Sequence, residues 1–598
     1  MGIGFTVDTP LKVSCYGIDS VISLVDDILL EKLRAMYCRR FGLPYEEIGE
    51  GSEDFRAQRI TSYLNVINEL ARRKFDDFRV GLAERGDEMK KFMAMLPDGS
   101  ALKAKLGEFA GGRFDSAEVA AWLKEHLPMG RIDVNIMTKV DKKNYTSQGE
   151  ELPIFYNDAH AALRGYANSE LSNSSIILSA GMNPRLYAYF EEFDDFYPDE
   201  QGRIRKRIVL KVSDYRSAAI QGKFLARKGL WVSEYRVESG LNCGGHAFAS
   251  DGFLMGPILA EFSERREELF GSLFGMLAKA LKKKGRPVPE SMPPVSVTAQ
   301  GGVGTAEEHR FLLDHYKVES VGWGTPFLLV GEVANVDEGT LGQLERAREE
   351  DLYVSRISPL GIPFNSLRGN TKDQEKEEWI RKGRPGSPCP KKFLVSNTEF
   401  TDKAICTASR RYQQLKIKQL DAENLPEDEY RKRYERIVEK SCICVGLGTA
   451  ALIINGLDTK KEGKGVSICP GPNLAYFSRR MTLREMVDHI YGRANVIERS
   501  DRPNMFVKEL WIYLDYLEEK IGEFGGEFSD KSVDYFHTFV SNLEDGIAYY
   551  RELFSGVKEA FAGIKDKILD DFAAAERRLE GLKEEIASLE SISKPVSD

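Results

Sequence analysis

At 598 residues, with 42% hydrophobic and 30% charged side chains, the chain has the balance of a large globular protein, which excludes a fibrous or disordered one. Its 84 basic and 93 acidic residues leave a formal net charge of -9, so no overall field would gather nucleic acid. No stretch approaches the roughly 18 consecutive apolar residues of a membrane-spanning helix, and MGIGFTVDTPLKV lacks a basic segment followed by an apolar core. The expected setting is cytoplasmic, with no membrane partner.

In chain order, the first β-branched run is Val21–Val25. A charged, helix-patterned segment, residues 28–99, then interrupts the strand rhythm and reads as a helical insertion. Further strands are expected at Ile132–Met137, Ser175–Ser179, Arg207–Val212, Trp231–Val237, Pro294–Thr298 and Glu319–Trp323. An eighth is placed near Leu106–Gly111, before a helical stretch at Ser116–His126. Strands alternating with helices, read as buried on both faces, predict a (β/α)8 barrel over residues 1–27 and 100–336. Its chemistry is expected at the C-terminal strand ends. Residues 337–500 form a Cys-rich second unit, α/β or irregular, and residues 501–598 a helical tail. In the tail, Ile564, Ile568, Phe572, Leu579, Leu582, Ile586, Leu589 and Ile592 recur at helical spacings. A docked amphipathic helix is favoured there over an oligomerising coiled coil.

Three segments carry chemistry. Tyr235–His246 runs a strand into a turn whose Gly244 and Gly245 admit a planar ligand, with His246 over it as proton donor or acceptor. Its bland alternative is a tight turn with a surface histidine. Val297–Gly304 ends a strand in a loop where Gly301 and Gly302 offer backbone N–H groups to an anion, and Gly324 and Thr325 do the same after the next strand. Two such consecutive strand ends match the phosphate site common in barrels. Five cysteines, Cys389, Cys406, Cys442, Cys444 and Cys469, fall within one span. Four of them would serve an iron–sulfur cluster; a zinc site and ordinary structural thiols are the alternatives. Gly446–Ala451 imitates a dinucleotide fingerprint after an apolar strand but lacks room for the crossover helix. His126, His160, His309, His315, His489 and His537 lack metal-ligand spacing and are expected at the surface or as caps.

The order TPLKVSCYGIDSVIS, Val134-Asn-Ile-Met137, Ser175-Ile-Ile-Leu-Ser-Ala-Gly181, GGH, AQGG and GTPF resembles the FMN-dependent barrels of the nitronate monooxygenase (2-nitropropane dioxygenase) family, which includes flavin-type enoyl-ACP reductases. RRYQQL from Arg410, LPEDEYR from Leu425 and GPNLAYF from Gly471 are more loosely similar to the trans-acting enoyl reductase of polyunsaturated fatty acid synthases. The resemblance implies FMN, with ring contacts at Asn135 and Gly181, phosphate contacts at Gly301, Gly302, Gly324 and Thr325, and a catalytic His246. It implies reduction, or its reverse, of an activated C=C bond on an acyl thioester or related small substrate. Oxidative denitrification of a nitronate is the alternative activity, and a non-catalytic flavin redox sensor or scaffold the alternative class. An electron-donor protein and self-association through the tail are the expected partners. The sequence departs from the family at Ser23-Leu-Val-Asp-Asp27, where two carboxylates would stand beside the ring, and at Asn242-Cys243 before the GGH turn.

Overall fold

The computed structural model describes residues 3–112, 114–138, 140–146, 148–179, 181–245, 251–523, 530–557 and 559–593. Seven parallel strands pair in sequence order: β1 (Ser20–Ser23), β2 (Ile132–Ile136), β3 (Ser174–Leu178), β4 (Lys206–Val212), β5 (Val232–Glu238), β6 (Ser296–Gln300) and β7 (Ser320–Gly322). The sheet curls into a half-barrel that stays open between β7 and β1. All seven expected strands are present within two residues. The eighth is not a strand: Leu106–Gly111 lies in the helix Ala101–Gly111, whose cap Ser100 accepts a hydrogen bond from the Lys103 amide, and Leu106 and Phe109 face one core at helical spacing.

The two sheet faces differ. Ile132, Val134, Ile136, Ile176, Leu178, Ile208, Leu210, Tyr235, Val237, Val297 and Ala299 belong to the main hydrophobic core. They point outward to helices that include Tyr215–Ala226 and Met255–Lys283. The alternate positions of these strands, Ile177 and Val209 apart, form a polar concave face, so what is buried on the inner side is charge and hydrogen-bonding groups. There Glu234 accepts from Arg236 at 2.8 Å and from Thr298 at 2.6 Å, and Asp133 accepts the Ser175 amide at 2.7 Å. Burial pushes the Asp133 carboxyl up to about 6.

A second core fills the open side. It joins Phe5 and Val13 to Leu328, Leu329 and Val330, and to the helix Ile443–Ile454. The Gly4 amide donates to the Leu447 carbonyl at 2.9 Å and the Asn335 amide to the Phe5 carbonyl at 2.8 Å. Gly446 and Gly448 let that helix press close, because a Cβ on Gly446 would meet Ser467 and one on Gly4 would lie 2.8 Å from the Gly448 Cα. The run expected as a strand before Gly446 is therefore a buried helix. An antiparallel pair, β8 (Leu352–Ser355) and β9 (Phe364–Leu367), covers the C-terminal end of the sheet.

The inserted helices Asp27–Phe41 and Phe55–Glu84 pack together, and the second lies along the helix Asp158–Ala167. The tail helices Met505–Glu523, Asp530–Gly556 and Lys565–Ser593 dock on the main core through Leu510, Leu543, Phe572 and Leu579, while Ile564 stays exposed. No single helix among the described residues is long and apolar enough to cross a membrane.

Candidate functional site

At the C-terminal ends of the strands the concave face opens into a cavity of about 140 Å³. Pair register brings Ser23, Asn135 and Ile177 side by side, and Lys211 follows two positions beyond Val209 on the same face. Ser23, Asn135, Ser179 and Lys211 line the floor, and Leu360, Phe364, Leu394, Ile443 and Leu447 form an apolar roof. Among the described residues the buried Asn135 Oδ1 has no hydrogen-bond partner. An acceptor left bare in this way calls for a donor on a ligand.

Lys211 is held by charge. Its Nζ lies 3.1 Å from Glu238 Oε2, while Glu238 Oε1 accepts from Asn242 Nδ2 at 2.6 Å and from Gln300 Nε2 at 3.0 Å. One carboxylate thus ties the ammonium to the Gly-rich turn. The turn is clamped again by β9, where the Asn365 amide donates to the Gly245 carbonyl at 3.0 Å and Asn365 Nδ2 to the Asn242 carbonyl at 3.1 Å. Gly244 and Gly245 both line the cavity. Gly245 has φ +102°, and a Cβ there would stand 3.0 Å from the Phe364 ring. His246, the expected catalytic residue, lies outside the described residues.

Gly181 stands beside this floor, its carbonyl accepting from Thr138 Oγ1 at 3.3 Å. The other expected phosphate residues gather elsewhere. Gly301 and Gly302 stand against Asn242 and Leu241, Gly324 stands against Cys243, and none of them lines the cavity. They are covered: the Gly302 carbonyl accepts from Asn473 Nδ2 and Arg502 Nη2, each at 3.0 Å, and Arg502 is in turn paired with Glu308 at 2.8 Å. Thr325 is buried under Gly471. The cavity thus offers a flavin ring a bare acceptor, a cation and a side-chain-free turn. The phosphate half finds its two loops together but roofed by Asn473 and Arg502.

The two carboxylates expected beside a ring serve the scaffold instead. Asp26 caps the helix Asp27–Phe41, accepting the Leu29 amide at 2.9 Å, and pairs with the buried Lys391. Asp27 pairs with Arg56 and, at 2.9 Å, with Arg59. Two histidines expected at the surface are buried. His160 Nδ1 lies 2.6 Å from Asp141, and His489 Nε2 lies 2.8 Å from the Gly304 carbonyl. Burial lowers the pKa of His489.

All eight cysteines are free and buried. Of the expected set, Cys469 accepts through its carbonyl from Cys243 Sγ at 3.5 Å. The other four form two pairs. Cys442 and Cys444 Sγ atoms are 3.9 Å apart, and Cys389 and Cys406 pack together with Ala408. The hydrogen bond from Cys444 brings Cys442 down to about 6, while Cys444 is pushed up. No group of three or more His, Cys, Asp or Glu side chains that could hold a metal ion occurs among the described residues.

Lys211 and Glu238 were not singled out in the sequence. A period-2 reading of KRIVLKV would have found the lysine, since Ile208, Leu210 and Val212 point out and Lys211 in. A larger hollow of about 310 Å³ lies between β8 and the helix Met505–Glu523, with Glu349, Lys508, Asp515 and Glu519 at its rim and Asn365, which clamps the Gly-rich turn, in its lining. No protein-family model matches the sequence, and no curated protein matches it at a significant level.

Proposed function

We propose that this protein is an FMN-dependent oxidoreductase that reduces, or in reverse oxidises, an activated C=C bond of an acyl thioester or related small substrate. The reading rests on one observation: a cavity at the C-terminal strand ends whose polar floor carries the bare Asn135 Oδ1 and the Lys211 ammonium beneath an apolar roof. This is where a barrel-type sheet places its chemistry. When bound, the flavin supplies the hydride or electrons. The chain orients the ring through Asn135, sets positive charge beside it through Lys211, and keeps water out with Phe364, Leu394 and Leu447. His246 follows the cavity-lining Gly245 and supplies or takes the proton.

Purified protein is expected to carry or take up FMN, read from its visible absorption. Lys211→Met removes a charge-assisted contact worth about 1.5–3 kcal/mol, so FMN should bind about ten- to a hundredfold more weakly. Well-folded protein that binds no FMN overturns the proposal. Under anaerobic conditions an enoyl thioester should reoxidise the reduced flavin. A nitronate that instead reduces the flavin moves the assignment to oxidative denitrification, and no response on the turnover timescale leaves a sensor.

A further inference from the structure

We propose that Cys389, Cys406, Cys442 and Cys444 ligate one binuclear iron–sulfur centre of the [2Fe–2S] type, set in the wall of the strand-end cavity. The pairing carries the inference. Metal–thiolate bonds of about 2.3 Å at a tetrahedral metal place two sulfurs about 3.8 Å apart. Cys442 and Cys444 stand 3.9 Å apart, and Cys389 and Cys406 pack against each other with Ala408. A single tetrahedral zinc would require all four sulfurs at that spacing, and among the described residues no third ligand joins either pair. A four-iron cube gives each cysteine its own iron and would hold no two sulfurs so close. Two pairs, one for each iron, match the four-thiolate binuclear centre.

The segments that carry the two pairs meet, and the Cys389 amide donates to Ser387 Oγ at 3.2 Å. Ser387, Ala408 and Cys442 line one small cavity, which brings the strands of chain around Cys389 and Cys406 against the start of the helix Ile443–Ile454. The Ser387 amide donates to the Ala408 carbonyl at 2.9 Å and fixes the two Cys-bearing segments side by side. Backbone amides of Lys392, Ala408 and Val445 donate to the sulfurs of Cys389, Cys406 and Cys442. Such donors, with the helix N-terminus and the nearby Lys372 and Lys392 charges, offset thiolate charge in a site removed from water. Cys389 has φ +54°, a conformation that few side chains adopt, held where its sulfur meets Cys406.

Cys444 also lines the strand-end cavity. A centre there gains one electron as one iron passes from Fe(III) to Fe(II), with no bond formed or broken. Its use as a relay from a one-electron carrier protein to a two-electron flavin, in two successive transfers, rests on the proposed function; the ligand assignment does not.

The test is made on full-length protein prepared without oxygen, measuring iron, acid-labile sulfide, zinc and flavin in one sample. About two irons and two sulfides per chain are expected, with a paramagnetic signal that appears on one-electron reduction. Cys444→Ser and Cys406→Ser should lose the iron. Cys469→Ser and Cys243→Ser should keep it, with circular dichroism confirming the fold of each. About four irons, zinc in place of iron, metal-free folded protein, or equal iron loss in Cys469→Ser overturns the assignment. Iron without flavin counts against the proposed function alone, and flavin without iron against this assignment alone.

Discussion

Asp27→Ala is expected to destabilise the fold by about 3–5 kcal/mol, the scale for removing one partner of a buried ion pair. Asp27 is the carboxylate shared by Arg56 and Arg59, and all three are buried. Arg56 also donates to the Leu24 carbonyl at 3.3 Å, the Val25 carbonyl at 3.0 Å and the Asp158 carbonyl at 3.1 Å. It thereby ties the end of β1 to the insertion and to the helix Asp158–Ala167. Without Asp27, two guanidinium groups stay buried with one nearby carboxylate fewer. Urea unfolding followed by circular dichroism measures the loss. A change under about 1 kcal/mol would show that water or Asp158 takes over. Asp27→Asn, which keeps an acceptor, should cost less.

Stability should fall as pH rises from about 4.5 to about 7, and Glu509→Gln should remove much of that fall. Glu509, on the helix Met505–Glu523, is fully buried and accepts the Met255 amide at 3.0 Å. Burial raises its carboxyl from 4.5 to about 7. Between those values the folded chain holds a proton that the unfolded chain has released, so the folded state loses ground with rising pH. A shift of this size corresponds to about 3 kcal/mol, present below pH 4.5 and lost above 7. Asp133, raised to about 6, slopes the same way. The difference between wild type and Glu509→Gln at pH 5 and pH 8 isolates the Glu509 share, and equal slopes in both would refute it.

The seven strands were legible because their outward residues form β-branched, apolar runs that must cover helices. The same runs concealed the concave face. Arg207, Lys211, Glu234, Arg236 and Glu238 alternate with that apolar set, and only the register places them together inside. Leu106–Gly111 was misread as a strand because a short apolar run lacks the length to separate strand from helix; the cap at Ser100 was the missed signal. Ile443–Ile454 failed for the converse reason. A helix buried on all sides has no polar stripe, so only its length marks it. Of the candidate site, Asn135, which the resemblance supplied, lines one cavity with Gly244 and Gly245 of the Gly-rich turn. The covering of Gly301, Gly302 and Thr325 by Asn473, Arg502 and Gly471 was illegible, because those partners come from far along the chain.

The seam between Gly4 and Leu447 has a consequence for biosynthesis. The floor of the cavity is complete once Gly245 has emerged, whereas Ile443 and Leu447 of its roof follow roughly 200 residues later, about 10–40 s at ordinary translation rates. During that interval Phe5 and Val13 wait without the helix that will bury them, and the charged trough lies open to water. On the proposed function, FMN capture therefore waits for that helix: a nascent chain arrested before residue 443 should bind none, however well its half-barrel has formed.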